Sequence, residues 1–274
     1  MSDFLGYQGK RVIVSGCFSG MGEATARILL DLGAEVHGFD YKDCALPLAS
    51  FTRLDLRDEA AIDSAVAGLS GKFDALFNCA GLPNIAPVLD IMKVNFLAAR
   101  KMTQAITPLL KEGSAVASIA STAGAGWPMR LETHKALAST PDFASGLKWC
   151  EENIGEIWEG YAFGKEALIV WTMMEACHLI KKGIRLNCTL PGPTQTPMMP
   201  DFEKAAPKSV IDGITQPINR YATPEEQARP MIFLNSEAAS YINGVPLLVD
   251  GGFTGGSATG QIDMSFMSVF QEEA

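Results

Sequence analysis

The 274-residue chain is short of several features that would mark other classes of protein. It has no basic stretch: 22 Lys and Arg stand against 31 Asp and Glu, and a net charge of -9 leaves nothing to neutralise a phosphate backbone. Nucleic acid is therefore not expected as a partner, and the dispersed negative charge reads as solubility. No apolar run approaches the length of a membrane span, and the first residues carry no signal-peptide pattern. A soluble, cytoplasmic protein with no membrane partner is expected. The six cysteines (Cys17, Cys44, Cys79, Cys150, Cys177 and Cys188) form no CxxC and no Cys/His cluster of metal-ligand spacing. They read as small buried hydrophobes in a reducing compartment, with no metal site. Linkers and internal repeats are absent too. The 47% apolar content suits one domain over residues 1–274.

What is present begins with an apolar run, residues 10–15, ending in Gly16-x-x-x-Gly20-x-Gly22. A helical pattern follows from Glu23 to a stop at Gly33. Strand, glycine turn and helix form the context of a dinucleotide site. Glycines let the backbone turn tightly and approach a pyrophosphate, and the helix start, here Ser19 to Met21, offers free N–H groups. The spacing is GxxxGxG rather than GxGxxG. A second run, residues 34–39, ends at Asp40 and Tyr41. A carboxylate at that strand tip would accept hydrogen bonds from the adenosine ribose and repel a 2′-phosphate, which favours NAD over NADP. Ser19 and Tyr41 bring no cation there, and Lys42 is the one residue that could oppose the preference. A third strand, 51–55, ends at Asp55 and Leu56, where an adenine ring is expected to rest. A helix is expected over 58–69. A fourth strand, 73–77, runs into Asn78, Cys79, Ala80 and Gly81, a small turn that lets a cofactor pass close to the backbone.

A helix predicted from about 89 to 111 carries Asn95 in its interior, where an amide competes for backbone hydrogen bonds. Such a local exception is expected at a functional site. A fifth strand, 114–120, is followed at once by Ser121. Tyr161 and Lys165, four apart on a helix running to about 182, project from one face. A nearby cation favours phenolate and is expected to lower the phenol pKa from about 10. That would make Tyr161 a general base for an alcohol or a general acid for a ketone. Taken alone, the pair reads equally as a solvated Lys beside a packed Tyr. A sixth strand, 184–190, closes in Pro191, Gly192, Pro193, Thr194, Gln195 and Thr196. A proline-broken polar stretch then runs to about 222, and a helix opens at Thr223-Pro224. A seventh strand, 245–249, precedes Asp250-Gly-Gly, and the tail over 257–274 has no pattern and is expected to be flexible. This alternation predicts a single-domain, Rossmann-like, doubly wound parallel sheet of seven strands with helices on both faces.

Taken together, Gly16-x-x-x-Gly20-x-Gly22, Asp40, Asn78-Cys-Ala-Gly81, Asn95, Ser121, Tyr161-x-x-x-Lys165, Pro191-Gly192 with Thr196, and Asp250-Gly-Gly resemble the short-chain dehydrogenase/reductase family, in that family's order over residues 10–252. Cys79 departs from it, since the family usually has Asn there. The resemblance implies that Tyr161 is the acid/base and that Lys165 binds the nicotinamide ribose. Ser121 would hydrogen-bond the substrate oxygen, and Asn95 would hold a water relaying protons from Lys165. It also implies NAD as cofactor and a homodimer or homotetramer. Hydride moves directly between nicotinamide and carbon, so one proton carrier and a dry, oriented site suffice. A non-catalytic dinucleotide-sensing protein on the same fold is the alternative, and the complete Asn95, Ser121, Tyr161, Lys165 set argues against it.

Ser121 and Tyr161 lie 40 positions apart, where most of the family has a short loop, so residues 127–158 are a helical insertion between the fifth strand and the catalytic helix. One helix is expected in it, from about 142 to 158. The outline is similar to the bacterial 3α-hydroxysteroid dehydrogenase/carbonyl reductase type, and coniferyl alcohol dehydrogenases share it. A secondary alcohol or ketone on a hydrophobic ring system is the expected substrate, with an aryl alcohol as the alternative. Trp127, Trp149 and Trp158 suggest that the insertion closes over the substrate as a lid, with an oligomer contact or surface decoration as the alternative. Lying just before the Tyr161 helix, it would also obstruct the packing through which many family members form tetramers.

Overall fold

Seven strands form one sheet in the computed structural model, which describes residues 4–270. They are β1 (Arg11–Ser15), β2 (Glu35–Asp40), β3 (Ser50–Arg53), β4 (Phe73–Asn78), β5 (Leu110–Ile119), β6 (Arg185–Pro191) and β7 (Pro246–Val249). Their order is β3-β2-β1-β4-β5-β6-β7, and every neighbouring pair runs parallel. The helices are α1 (Gly20–Asp31), α2 (Glu59–Ala67), α3 (Val88–Met92), α4 (Ala99–Ile106), α5 (Leu131–Ala138), α6 (Phe143–Glu152), α7 (Ile154–Ile157), α8 (Tyr161–Leu179), α9 (Met199–Ala205), α10 (Lys208–Gly213), α11 (Pro224–Asn235) and α12 (Phe253–Ala258). The doubly wound expectation holds.

Both sheet faces are covered, which is why the strands read as unbroken apolar runs. In β1, Val12 and Val14 pack with Leu29 of α1 and Met231 of α11, while Ile13 faces Ile62 of α2, Phe96 and Leu168 of α8. Ser15, Asn78, Ser118 and Cys188 stand level across four strands, so the loops that carry the expected site leave one edge of the sheet together. The strand order reverses between β1 and β4, where an open α/β sheet leaves its binding crevice.

Several boundaries differ from expectation. The helix expected to reach residue 111 ends at Ile106. Pro108 sits in the tight turn Thr107–Leu109, and the chain from Leu110 already pairs with β4. Proline cannot continue the helical ladder, and pairing with β4 takes the segment instead. Residues 197–222, read as broken by proline, contain α9 and α10. Pro200 sits in the first turn of α9 and Pro207 caps α10, so these prolines start helices. The insertion holds three helices rather than one. Its first, α5, has no side-chain cap, but Leu137 and Ala138 are buried in the same core as α8, so tertiary packing makes it a helix. Thr223 forms a full capping box with Glu226. Beyond α12 the chain turns again over Met264–Phe270 and lays Phe266 against Gly213. Residues 271–274 of the expected flexible tail lie outside the described residues.

Candidate active site

The turn between β1 and α1 is built so that backbone meets backbone. Gly16 has φ of +75°, and a Cβ there would stand 2.6 Å from the Ala80 nitrogen. A Cβ on Gly22 would overlap the Gly16 carbonyl oxygen, with Cys79 Cβ also within 3.1 Å. Gly20, at φ +61°, leaves room for Thr196, whose Cγ2 would lie 3.2 Å from a Cβ. Ser19 stands at the N-cap of α1 in extended conformation and makes no side-chain cap bond. The open end of a 12-residue helix, floored by glycine, is the arrangement a pyrophosphate needs. Asp40, 8% exposed at the tip of β2, accepts from the Phe18 nitrogen at 2.9 Å and the Lys42 nitrogen at 3.0 Å. Its carboxylate thus ties the glycine turn to β2. Lys42 Nζ lies over the rings of Phe18 and exposed Tyr41, at 5.1 and 5.2 Å from their centroids.

The second group converges from the end of β5, the segment between α3 and α4, and α8. Lys165 Nζ donates to the Ile119 carbonyl at 2.7 Å and lies 5.7 Å from the Tyr161 ring centroid. Burial pushes the ammonium down to about 8. Tyr161 is half-buried, and desolvation pushes its phenol up to about 12, against a hydrogen bond with Ser121 that lowers it. The expected depression by Lys165 is therefore absent: burial sets the direction, and the Glu159 carboxylate adds to it. Ser121 accepts from the Ala123 nitrogen at 3.1 Å and opens a tight helical segment, Thr122–Arg130. Asn95 lies in a π-helical widening, Lys93–Ala98, between α3 and α4. Such widenings recur at functional sites. Its amide binds Leu82 twice, accepting from the nitrogen at 2.7 Å and donating to the carbonyl at 3.0 Å. A Cβ on Gly81 would sit 3.3 Å from Asn95 Oδ1 and 3.8 Å from Lys165 Nζ, so the three meet at one point.

Other expected residues are placed differently. The Asn78 side chain turns into the core, donating to Thr103 at 3.0 Å and Ser118 at 3.2 Å. Thr194, 4% exposed, donates back to the Gly192 carbonyl at 2.8 Å. Gly192 itself passes close to Asp250, and Pro191 accepts from Thr122 at 3.1 Å. Asp55 lies two residues beyond β3 and pairs with Arg57 at 2.6 Å, while Leu56 packs on the core. The Met21 side chain packs beneath α1. Among the described residues, no three His, Cys, Asp or Glu side chains come together as a metal-binding group, and no helix is long and apolar enough to cross a membrane.

Sequence reasoning missed what covers Tyr161. Phe202 of α9 meets its ring edge-on, at 4.9 Å between centroids. The cue was an apolar residue in a short segment after Pro191–Thr196. The expected lid is corrected in turn. The insertion's contacts with α8 run to Phe163, 4.5 Å from the His134 ring and stacked on Trp149 at 6.2 Å, and to Glu166. At 100° per residue those positions lie on the side of α8 turned away from Tyr161. The insertion buries the side of α8 that carries Phe163 and Glu166.

Residues 10–131 match the family model described as short chain dehydrogenase, and residues 150–254 match that described as enoyl-(acyl carrier protein) reductase. A coniferyl-alcohol dehydrogenase from a Pseudomonas species is 35% identical over 89% of this chain and 96% of its own length. The 3-alpha-hydroxysteroid dehydrogenase/carbonyl reductase of Comamonas testosteroni is 31% identical over 88% of this chain and 95% of its own. The crystal structure of a Pseudomonas 3-alpha-hydroxysteroid dehydrogenase complexed with NADH superposes with a TM-score of 0.75 at 25% identity, covering 88% of this chain and 95% of that one. A Burkholderia cenocepacia short chain dehydrogenase in complex with NADP gives 0.69 at 26% identity, covering 90% and 99%.

Proposed function

The chain belongs to the short-chain dehydrogenase/reductase family, and on that premise we propose that it is an NAD-dependent enzyme interconverting an alcohol and a carbonyl compound on a hydrophobic, ring-bearing substrate. The observation that carries the reading is the half-buried phenol of Tyr161, hydrogen-bonded with Ser121 and set beside the buried ammonium of Lys165, at the same sheet edge as an open glycine turn. When bound, the nicotinamide supplies the hydride acceptor or donor. In oxidation, Tyr161 Oη reacts as the phenolate, its own proton having passed towards Lys165 and solvent, and takes the hydroxyl proton while the Ser121 hydroxyl donates to the substrate oxygen. In reduction, the proton returns from Tyr161 to the carbonyl oxygen. Lys165 holds the nicotinamide ribose. Asn95 braces the turn at Leu82 beside Lys165, where a water relaying protons would sit. Gly16, Ser19, Gly20 and Gly22 receive the pyrophosphate, and Thr196 closes against that turn.

Asp40 supports NAD, because a 2′-phosphate would face its charge at the tip of β2. The relatives support two substrates: an aryl alcohol, from the 35% relative, and a hydroxysteroid, from the 31% relative and the structural neighbour. The aromatic edge of Phe202 against Tyr161 suits a flat ring in either case. We also propose a cytoplasmic homodimer. The insertion buries Phe163 and Glu166 on the outer side of α8, which leaves pairing to the free sheet edge at β7. Incubation with NAD or NADP and a mixed panel of aryl alcohols and hydroxysteroids, followed by product analysis, tests the reading. Carbonyl product with a higher kcat/KM for NAD is expected. Equal values for the two cofactors sink the NAD assignment, and no product from any alcohol leaves a non-catalytic dinucleotide-binding protein.

A further inference from the structure

One buried carboxylate has no part in the chemistry above: Glu166, the residue after Lys165 on α8, 2% exposed. Arg130 grips it with two bonds, Nη2 to Oε1 at 2.8 Å and Nε to Oε2 at 3.0 Å. His134 Nε2 lies 2.6 Å from Oε2 on the other side. His134 is fully buried, and its Nδ1 has no hydrogen-bond partner in the protein. Burial alone would raise the carboxyl pKa, yet the bonds from His134 and Arg130 outweigh it and hold the group ionised. Apolar side chains could join these segments with less desolvation cost, so packing alone gives no reason for a charge here. What an ion pair adds over an apolar contact is direction.

That direction leads to Ser121. The segment Thr122–Arg130 starts from the Ser121 cap and ends in the Arg130 grip. Between those ends it presses onto the turn of α8 that carries Lys165. A Cβ on Gly124 would stand 3.0 Å from the Glu166 nitrogen and the Lys165 carbonyl carbon, and one on Gly126 would stand 2.8 Å from Glu166 Oε1. Two glycines therefore let the backbone lie flat against the catalytic helix, and a clamp at the far end keeps it there. We infer that Glu166 is a positioning residue: through Arg130 and His134 it fixes the segment after Ser121 against α8, and so sets the Ser121 hydroxyl relative to the Tyr161 phenol. Glu166 touches neither substrate nor cofactor. The inference rests on the proposed roles of Ser121 and Tyr161.

The test is a double-mutant cycle. Glu166→Gln keeps the size and removes the charge, and Arg130→Met removes the grip from a less buried position. Each is made alone and with Ser121→Ala, and kcat at saturating NAD, the Kd for NAD and the melting temperature are measured. Each single variant should lose about 10- to 100-fold in kcat, the cost of misplacing a catalytic group by a fraction of an ångström to an ångström. Affinity for NAD should stay within about twofold, and with Ser121 already absent the further loss should shrink to about twofold or less. Arg130→Lys, which restores a cation, should recover part of the loss. The inference is overturned if the loss is the same in both backgrounds, if NAD affinity falls in step with kcat, or if kcat is unchanged. If Glu166→Gln fails to fold, the Arg130→Met cycle decides alone. A Ser121→Ala variant with undiminished kcat would bring down the reading of the site itself and this inference with it, whereas a slow Ser121→Ala with additive losses sinks only the inference.

Discussion

Two connections leave the same edge of the sheet and reach the site by opposite means. Between β1 and α1, residues 16–19 make a turn whose shape is dictated by missing side chains, since a Cβ on Gly16 or Gly22 would meet backbone. Between β5 and α8, residues 120–160 make a long excursion through three helices, fastened by Arg130 and His134 to Glu166 and by Trp149 to Phe163. The first connection has no room for a Cβ at Gly16 or Gly22, and the glycines that allow this stand close together in sequence even where they make room for the distant Ala80. The second is specified by partners as far as 36 residues apart. A binding loop can be written locally, whereas a catalytic pair carried on separate elements has to be assembled by packing.

The sharpest way to test that contrast is to remove chemistry from the assembled side without disturbing the local one. Tyr161→Phe deletes the proposed proton carrier and keeps the ring that meets Phe202. Loss of the only general acid–base should cost about 10⁴-fold in kcat, the upper end of the usual range. NAD affinity, measured by calorimetry, should hardly change, because the glycine turn is untouched. A variant retaining a tenth of wild-type turnover would remove Tyr161 from its role. Next in size comes a break in the local side. Gly22→Ala drives a methyl into the Gly16 carbonyl. Backbone cannot yield there without opening the turn against Ala80, so a loss of about 3 kcal/mol or more is expected in denaturant unfolding, with NAD binding weakened in proportion. An alanine variant with wild-type stability would show the turn to be looser than its contacts imply.

Legibility in the sequence follows the same division. Strands β1, β2 and β4 fell within a residue or so of expectation, because each is an apolar run bounded by glycine or a charge. The capping box at Thr223 and the stop at Gly183 are likewise written in adjacent residues. Asn95 was singled out as an oddity within a helix, and the helix is indeed widened there. Helix α5 was invisible, since neither a cap nor a strong periodicity marks it and only its burial against α8 supports it. The Arg130–Glu166–His134 cluster and the contact of Phe202 with Tyr161 could not be read, because nothing in sequence spacing links residues 32, 36 or 41 apart. The phenol pKa was misjudged for a related reason. A cation four residues away is visible in sequence, but the burial that overrides it is not.

A smaller effect should appear in the pH dependence of stability, again on the assembled side. Lys165 drops to about 8 when buried, from an ordinary value of 10.5. A depressed ammonium is a cost to the fold. Below about 8 both states hold the proton and the whole cost is present. Between 8 and 10.5 the unfolded chain binds more protons than the folded one, so stability rises with pH, and above that window the cost is gone. Tyr161 works in the other direction at higher pH, since the folded phenol keeps its proton up to about 12. Comparison with Lys165→Met cancels the tyrosine. The variant should be the more stable protein at pH 7, by up to about 3 kcal/mol, and the gap should close as pH rises from 8 to 10.5. A gap independent of pH would mean that the ammonium is not desolvated.

The smallest effect completes the contrast by placing the Gly22 substitution in the other connection. Gly155 lies in α7, within the excursion between β5 and α8, and a Cβ there would meet nothing within 4 Å. Its φ lies outside the left-handed range, so alanine needs no strained backbone. The methyl restricts the unfolded chain and points into open space when folded. Gly155→Ala should therefore be neutral or stabilising, by about 0.5–1 kcal/mol. Thermal unfolding with kcat measured alongside decides it, and kcat should not move. If alanine at residue 155 destabilises as alanine at residue 22 does, the long connection is held by its backbone after all. If it does not, one methyl group separates a turn defined by what it excludes from an excursion defined by the side chains it brings together.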